Sequence, residues 1–299
     1  MQVQRIKRSL NGVLMLDKAR GASSNAALQQ AKRLYQAAKA GHAGTLDPLA
    51  TGLLPILFGE ATKFSSDLLD ADKSYAAEIV LGVSTTTADA EGEIIATRPV
   101  SATPQELAAA LAKFRGTIQQ TPPAYSALKF AGKPLYAYAR AGIEIAREPR
   151  EVTICALELQ WFEGERLAVS VTCSKGTYIR SIAHDLGEML GCGGHLAALR
   201  RTAVGRFKLD CAHTLDALAG MAEGERDASL LPVDALLQDL PEVRLAPAEQ
   251  ARFLQGQAVQ WGGSPQARVR VYGSGGALLG VGEALADGGL CPKRVIAIA

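Results

Sequence analysis

AGHAGTLDPLATGLLPILFGEATKF, residues 40–64, carries a single acid in its apolar heart. Asp47 is the sole ionisable residue between Ala43 and Phe58. A carboxylate set among Gly, Thr, Leu, Ala and Pro is either a local turn device or a working group. Asp before Pro is an ordinary turn pair, because the side chain can accept from nearby backbone amides. An aspartyl nucleophile of the phosphatase type needs a second acid two residues on, and that position is Leu49. The phosphatase reading therefore fails, and on this string alone the other two stay open.

Periodicity orders the chain around that loop. SSNAALQQAKRLYQAAK (23–39) reads as a helix capped by Ser23 or Ser24, with Leu28, Ala31, Leu34, Tyr35 and Ala38 on one face. TPQELAAALAKFRG (103–116) pairs Thr103 with Glu106 as a capping box, puts Pro104 at the first helical position and stops at Gly116. LAVSVTC (167–173) alternates like a strand and runs into SKGTYIRSIAHDLGEML, where Ile179, Ile182, Ala183, Leu186 and Met189 follow helical spacing. A strand thus delivers Lys175–Arg180 to a strand–helix junction. Residues 212–245 read as an acidic helical or linker-like stretch. Beyond 245, Gly-rich turns separate the short runs ARVRVY, LLGVGEAL and KRVIAI, a small β-barrel pattern.

Composition narrows the class. With 299 residues and 48% hydrophobic content, the chain can fill a core and is not disordered. No apolar stretch approaches the roughly 20 residues of a membrane span. The apolar run near the N-terminus lacks a small-residue cleavage site and ends in Asp17, unlike a signal peptide. Five scattered cysteines without a CxxC pair fit neither zinc nor a disulfide framework, and they fit a reducing cytoplasm. The histidines 42, 184, 195 and 213 lack metal-ligand spacing; His184 and His195 read as surface or helix-end residues. No nucleotide-binding Gly-rich motif and no HExxH is present.

Net charge is only +2, but it is unevenly spread. Residues 111–150 hold seven bases against Glu144 and Glu148, 175–208 hold six against Asp185 and Glu188, and 209–250 hold nine acids against two bases. The middle of the chain could build a surface for a polyanion, or solvated faces could simply segregate. TPPAYSALKFAGKPLYAYARAG (121–142) places Lys129, Lys133 and Arg140 among four Tyr or Phe rings and reads as an exposed loop and short helix.

Taken together, the blocks resemble the TruB family of pseudouridine synthases, which modify uridine 55 in the T arm of tRNA. GHAGTLDPLATGLLP resembles that family's catalytic motif, NGVLMLDKARGASSN its opening motif, and DKSYAAEIVLG the motif with its active-site tyrosine. TPPAYSALKFAGKPLYAYARAG, CSKGTYIRSIAHDLGE and GGHLAALRRTAVGRF resemble its YSALK, arginine and leucine motifs, in family order across residues 11–207. Two departures stand out: Ala19 replaces a proline of the opening motif, and Thr86 stands where an acid is common.

The resemblance implies roles. Asp47 would be the nucleophile, and Arg180 the cation that holds its pKa down through a two-point contact. Tyr75 would pack on the target base and serve in removing the C5 proton. Tyr178 and Leu199 would line the pocket, His42 would stabilise flipped-out RNA, and Lys18 and Asp89 would lie near the site. No cofactor or metal is expected. The expected fold is α+β: a catalytic domain over 1–240 on a mixed, mainly antiparallel sheet with flanking helices, an RNA-gripping insertion at about 121–150, and a PUA-like barrel over 245–299. The expected partner is the tRNA T-arm stem-loop, bound by a cytoplasmic, stand-alone monomer without guide RNA or membrane. The competing class is a non-catalytic RNA-binding or RNA-folding module.

Overall fold

The computed structural model describes residues 7–297. The catalytic loop leads into the strand Thr51–Phe58, whose residues are buried from Gly52 onward. A run apolar on both faces belongs in a sheet interior, and the chain places it there. It pairs antiparallel with Gly12–Lys18, from Gly12 opposite Phe58 to Lys18 opposite Gly52. On its other side it runs parallel to Gly194–Val204, at Arg200 opposite Thr51 and Arg201 opposite Gly52. The sheet continues through Lys73–Leu81, Arg166–Cys173, Arg150–Glu163 and Gly116–Gln120, and the short strands Ala40–His42 and Phe207–Lys208 add to it. All the other pairings are antiparallel, so the sheet is mixed and mainly antiparallel, as expected.

Gly52 makes the parallel joint possible. Its φ is +99°, and a Cβ there would sit 2.3 Å from the Arg201 carbonyl oxygen. Only glycine tolerates both that backbone conformation and that approach.

Helices cover one face of the sheet. Ser24–Leu34 starts where Ser23 Oγ accepts from Ala26 N, and Pro104–Ala112 carries the complete Thr103–Glu106 capping box. Ile179–Met189 follows the strand Arg166–Cys173. Together they enclose a core that includes Leu28, Leu54, Ile79, Leu107, Ile182 and Leu186. The first helix is shorter than its periodicity suggests. It ends at Leu34 because Gln36 adopts φ +51° and the chain turns toward Ala40–His42, so Ala38 leaves the helical face. His195, expected at the surface or a helix end, is buried in a central strand, and its Nδ1 lies 2.9 Å from the Val83 carbonyl.

A second sheet closes the chain, in the order Glu242–Arg244, Gln266–Tyr272, Leu278–Ala284, Gly289–Val295, Val259–Gln260. It curls around Phe253, Val269, Leu279 and Leu290, in keeping with a PUA-like half-barrel. Its long last strand begins earlier than the KRVIAI run suggested. Leu285 N donates to Gly289 O and closes the ADGG turn there, so pairing starts at once; the last residue of the expected run, Ile298, lies outside the described residues. The second sheet is seated on the first domain, with Val281 in a core shared with Phe64, Leu68 and Leu237. Tyr272 Oη donates to Asp234 at 2.7 Å, and Arg268 pairs with Asp67. Among the described residues no helix is long and apolar enough to cross a membrane.

Candidate active site

Asp47 is held out of a loop whose neighbours are held in. Ala43, Leu46, Leu49 and Ala50 are buried and anchor the loop in the core. Ser24 Oγ clamps both polar groups of Leu46, accepting from its N–H at 2.7 Å and donating to its carbonyl at 2.9 Å. The turn closes through the main chain, with Ala50 N donating to the Asp47 carbonyl at 3.1 Å. The Asp47 carboxylate is therefore not the turn's hydrogen-bonding device. It stays 40% exposed and meets Arg180, whose Nε lies 2.9 Å from Oδ2.

Arg180 gathers four segments. It sits in the first turn of Ile179–Met189, with its side chain only 5% exposed. Nη1 donates to Thr87 O at 3.1 Å and Nη2 to Tyr125 O at 2.9 Å. Asp89 stands behind it, with Oδ2 3.6 Å from Nε. The Asp47 contact runs through Nε, one-point rather than the expected two-point fork, while each Nη holds a carbonyl. Gln120 fixes the start of this helix. Its Oε1 accepts from Tyr178 N at 2.8 Å and its Nε2 donates to Tyr178 O at 3.1 Å.

The electrostatics also differ from expectation. Burial pushes the Asp47 carboxyl above the ordinary carboxylate value; Arg180 opposes the shift without cancelling it, and Asp89 adds to it. A carboxylate losing water pays more than one cation returns. The same burial raises the Tyr75 phenol, with Arg201 the leading opposing charge.

These groups line a cleft of about 330 Å³. Asp47, Tyr75, Tyr178, Arg180 and Leu199 all face it, and so converge as the sequence suggested. Asp89 is not part of the lining; it braces Arg180 from behind, and its charge also raises the Asp47 pKa. Lys18 is not part of the lining; it is buried, and its Nζ braces the turn after its own strand by donating to Ala19 O and Ala22 O. His42 also lies outside the lining. Its Nδ1 is buried without a hydrogen-bond partner among the described residues, and burial lowers its pKa.

Sequence reading missed Lys73, Arg201, Gln120 and Ser126. Lys73 and Arg201 line the cleft and are buried. Strand alternation was the available signal, since each lies two residues from a recognised site residue, Tyr75 or Leu199. Among the described residues no group of three or more His, Cys, Asp or Glu side chains is arranged to hold a metal ion.

Comparison with known proteins shows the family. Residues 32–179 match the profile of the TruB family pseudouridylate synthase N-terminal domain. Residues 180–238 match a tRNA pseudouridylate synthase B C-terminal domain, and 241–296 a pseudouridine synthase II TruB C-terminal domain. A protein of Methylobacillus flagellatus named tRNA pseudouridine synthase B is 54% identical, over 99% of this chain and 98% of its own. One from Burkholderia mallei with the same name is 57% identical, over 97% and 98%. Among solved structures, a Cbf5–Nop10–Gar1 complex includes a chain with a TM-score of 0.72 at 27% identity, covering 95% of this chain and 84% of that one. By profile and by full-length identity, the chain belongs to the TruB family of pseudouridylate synthases.

Proposed function

We propose that this chain isomerises uridine 55 in the T loop of tRNA to pseudouridine, with Asp47 as nucleophile. The relatives' name, tRNA pseudouridine synthase B, supports the substrate class. The observation that carries the reading is Asp47 itself: a partly exposed carboxylate, freed from turn duty and aimed into a cleft by a buried arginine 2.9 Å away.

The chemistry follows from these groups. The uridine N1–C1′ bond breaks, the base turns, and a C5–C1′ bond forms with loss of the C5 proton and gain of one at N1. A covalent adduct with Asp47 divides this into easier steps. Arg180 keeps the carboxylate oriented and favours its charged form against the cost of burial. Tyr75 offers a ring for stacking and a hydroxyl for proton removal. Entry requires the base to leave its stack, at a cost of a few kcal/mol. Leu199 and Tyr178 supply walls for the extruded base, and His42, near the loop, is assigned to the displaced RNA. Lys18 acts through the opening turn and Asp89 through Arg180.

We assign the catalytic domain to 1–240, the RNA-gripping insertion to about 121–150 and the PUA-like domain to 245–299. In the insertion, Phe130 is 50% exposed and Arg140 lies over the Tyr136 ring at 5.4 Å, a surface suited to phosphates and RNA shape. We take the protein to act as a stand-alone monomer in the cytoplasm without a guide RNA, as the resemblance to bacterial TruB enzymes implies.

The test is pseudouridine formation in an unmodified tRNA transcript, wild type against Asp47→Asn. Conversion of one T-loop uridine by wild type alone, with tRNA binding retained in the variant, supports the proposal. Binding by both without conversion by either makes the chain an RNA-binding module.

A further inference from the structure

We propose that Arg201 is a positioning residue of this reaction: it fixes the Tyr75 hydroxyl and stabilises the ionised form of that oxygen, which takes the proton from C5. The inference rests on the reaction proposed above. In the step, the C5–H bond breaks and its electron pair becomes the C5=C6 bond, as the C6=N1 π pair moves onto N1, which takes a proton from water. The Tyr75 oxygen, having given its own proton to water, takes the proton from C5.

Three observations lead here. Arg201 is 1% exposed, yet no ion pair among the described residues involves it. Its partners are carbonyls: Leu53 O at 2.7 Å from Nε, Gly44 O at 3.1 Å from Nη2 and Thr45 O at 3.4 Å from Nη1. A buried guanidinium without a carboxylate is costly, and three carbonyls could be held by a neutral donor. The fold retains a full charge where a structural tether does not need one.

The second observation is register. Arg201 lies directly opposite Tyr75 in the antiparallel pair of Gly194–Val204 with Lys73–Leu81. Directly opposed side chains share a face with Cβ atoms about 5 Å apart, and both residues line the cleft with Asp47. The third is valence. A guanidinium has five N–H donors, and the three carbonyls leave two Nη protons. The Tyr75 hydroxyl, on the opposed strand and in the same cleft, is the oxygen those protons are placed to meet, and Arg201 is the leading charge opposing the rise that burial gives its pKa. The two reactive groups thus have separate arginines, Arg180 for Asp47 and Arg201 for Tyr75. Arg201 also grips the Gly44–Thr45 end of the catalytic loop, so it ties both groups into one frame.

The first measurement uses the full chain without RNA, so it can fail independently of the proposed reaction. Tyrosine Cζ is labelled with ¹³C, the Tyr75 signal is assigned with Tyr75→Phe, and the phenol is titrated. In Arg201→Gln the Tyr75 midpoint should rise by about one pH unit, roughly tenfold in acidity; an unchanged midpoint in the folded variant overturns the proposal. If Arg201→Gln does not fold, the near-isosteric Tyr75→Phe carries the test. Exchange of the Arg201 Nη protons should quicken about fivefold or more while Nε, held by Leu53, stays unchanged; equal Nη rates in both proteins overturn the proposal. With tRNA, Arg201→Gln should lower kcat about 100-fold with KM within about twofold, and cost less than about twofold in the Tyr75→Phe background. An equal loss in both backgrounds would show that Arg201 acts through the loop alone.

Discussion

Arg180 approaches Asp47 through Nε at 2.9 Å, while its two Nη groups are committed to the carbonyls of Thr87 and Tyr125. The guanidinium is therefore oriented by the protein before any RNA arrives, and the carboxylate is oriented by the guanidinium. Asp47 must be ionised to attack, and its pKa is raised, burial outweighing Arg180. Activity should fall as pH drops through a value above the ordinary carboxylate range. Arg180→Met removes the opposing charge, so the acid limb should move to higher pH and the plateau fall about 100-fold. Single-turnover rates from pH 5 to 9 read both. An acid limb that stays put in Arg180→Met would mean that Asp47 does not set it.

Tyr75→Phe separates stacking from proton transfer. The ring remains and the hydroxyl goes, so tRNA binding should stay within about twofold while the rate falls about 100-fold or more. Gel-shift titration and single-turnover conversion measure the two effects separately. Wild-type rates in the variant would leave the hydroxyl without a chemical role.

The legible part of the site was the chemically exceptional part. Asp47 stood out as a lone charge in an apolar run, and the convergence of Tyr75, Tyr178, Arg180 and Leu199 followed from recognisable blocks. The fold class came with those same blocks through the family resemblance, while the Thr103–Glu106 capping box, the strand alternation of 167–173 and the Gly-rich turns beyond 245 were local signals for single elements. Arg201 was not, since its function depends on lying opposite Tyr75, and cross-strand register is a long-range property. The direction of the Asp47 shift was also missed: a sequence names the partner charge but not how much water the fold removes.

Gln120 illustrates the same limit and gives a further prediction. Its side chain binds Tyr178 N and O from 58 residues away, and nothing near Gln120 in the chain announces this. Gln120→Leu keeps the bulk but leaves both backbone groups of Tyr178 unpaired. Stability should drop by about 1–3 kcal/mol. The helix start that carries Arg180 should loosen, with faster amide exchange at Tyr178. Hydrogen exchange and urea unfolding on the one variant check this; unchanged protection at Tyr178 would count against the clamp.

Lys73 yields a prediction about stability in alkali. It is 6% exposed, donates to Leu69 O and Ala71 O, and burial brings its pKa from 10.5 down to about 8. Below pH 8 the folded protein bears a buried charge that the unfolded chain would solvate. Between about 8 and 10.5 the unfolded lysine still binds its proton and the folded one does not, so stability rises with pH across this window, by about 3 kcal/mol in total. Cys173, raised from 9.0 to about 11, acts oppositely: its unfolded thiol ionises first, and stability falls between about 9 and 11. The two effects separate in a Cys173→Ala background. There, urea unfolding at pH 7, 8, 9 and 10 should show the Lys73 protein gaining on Lys73→Met as pH rises. A gap between the two that does not change with pH would mean that Lys73 keeps its proton in the fold, and its ammonium would then be a permanent charge in the cleft wall.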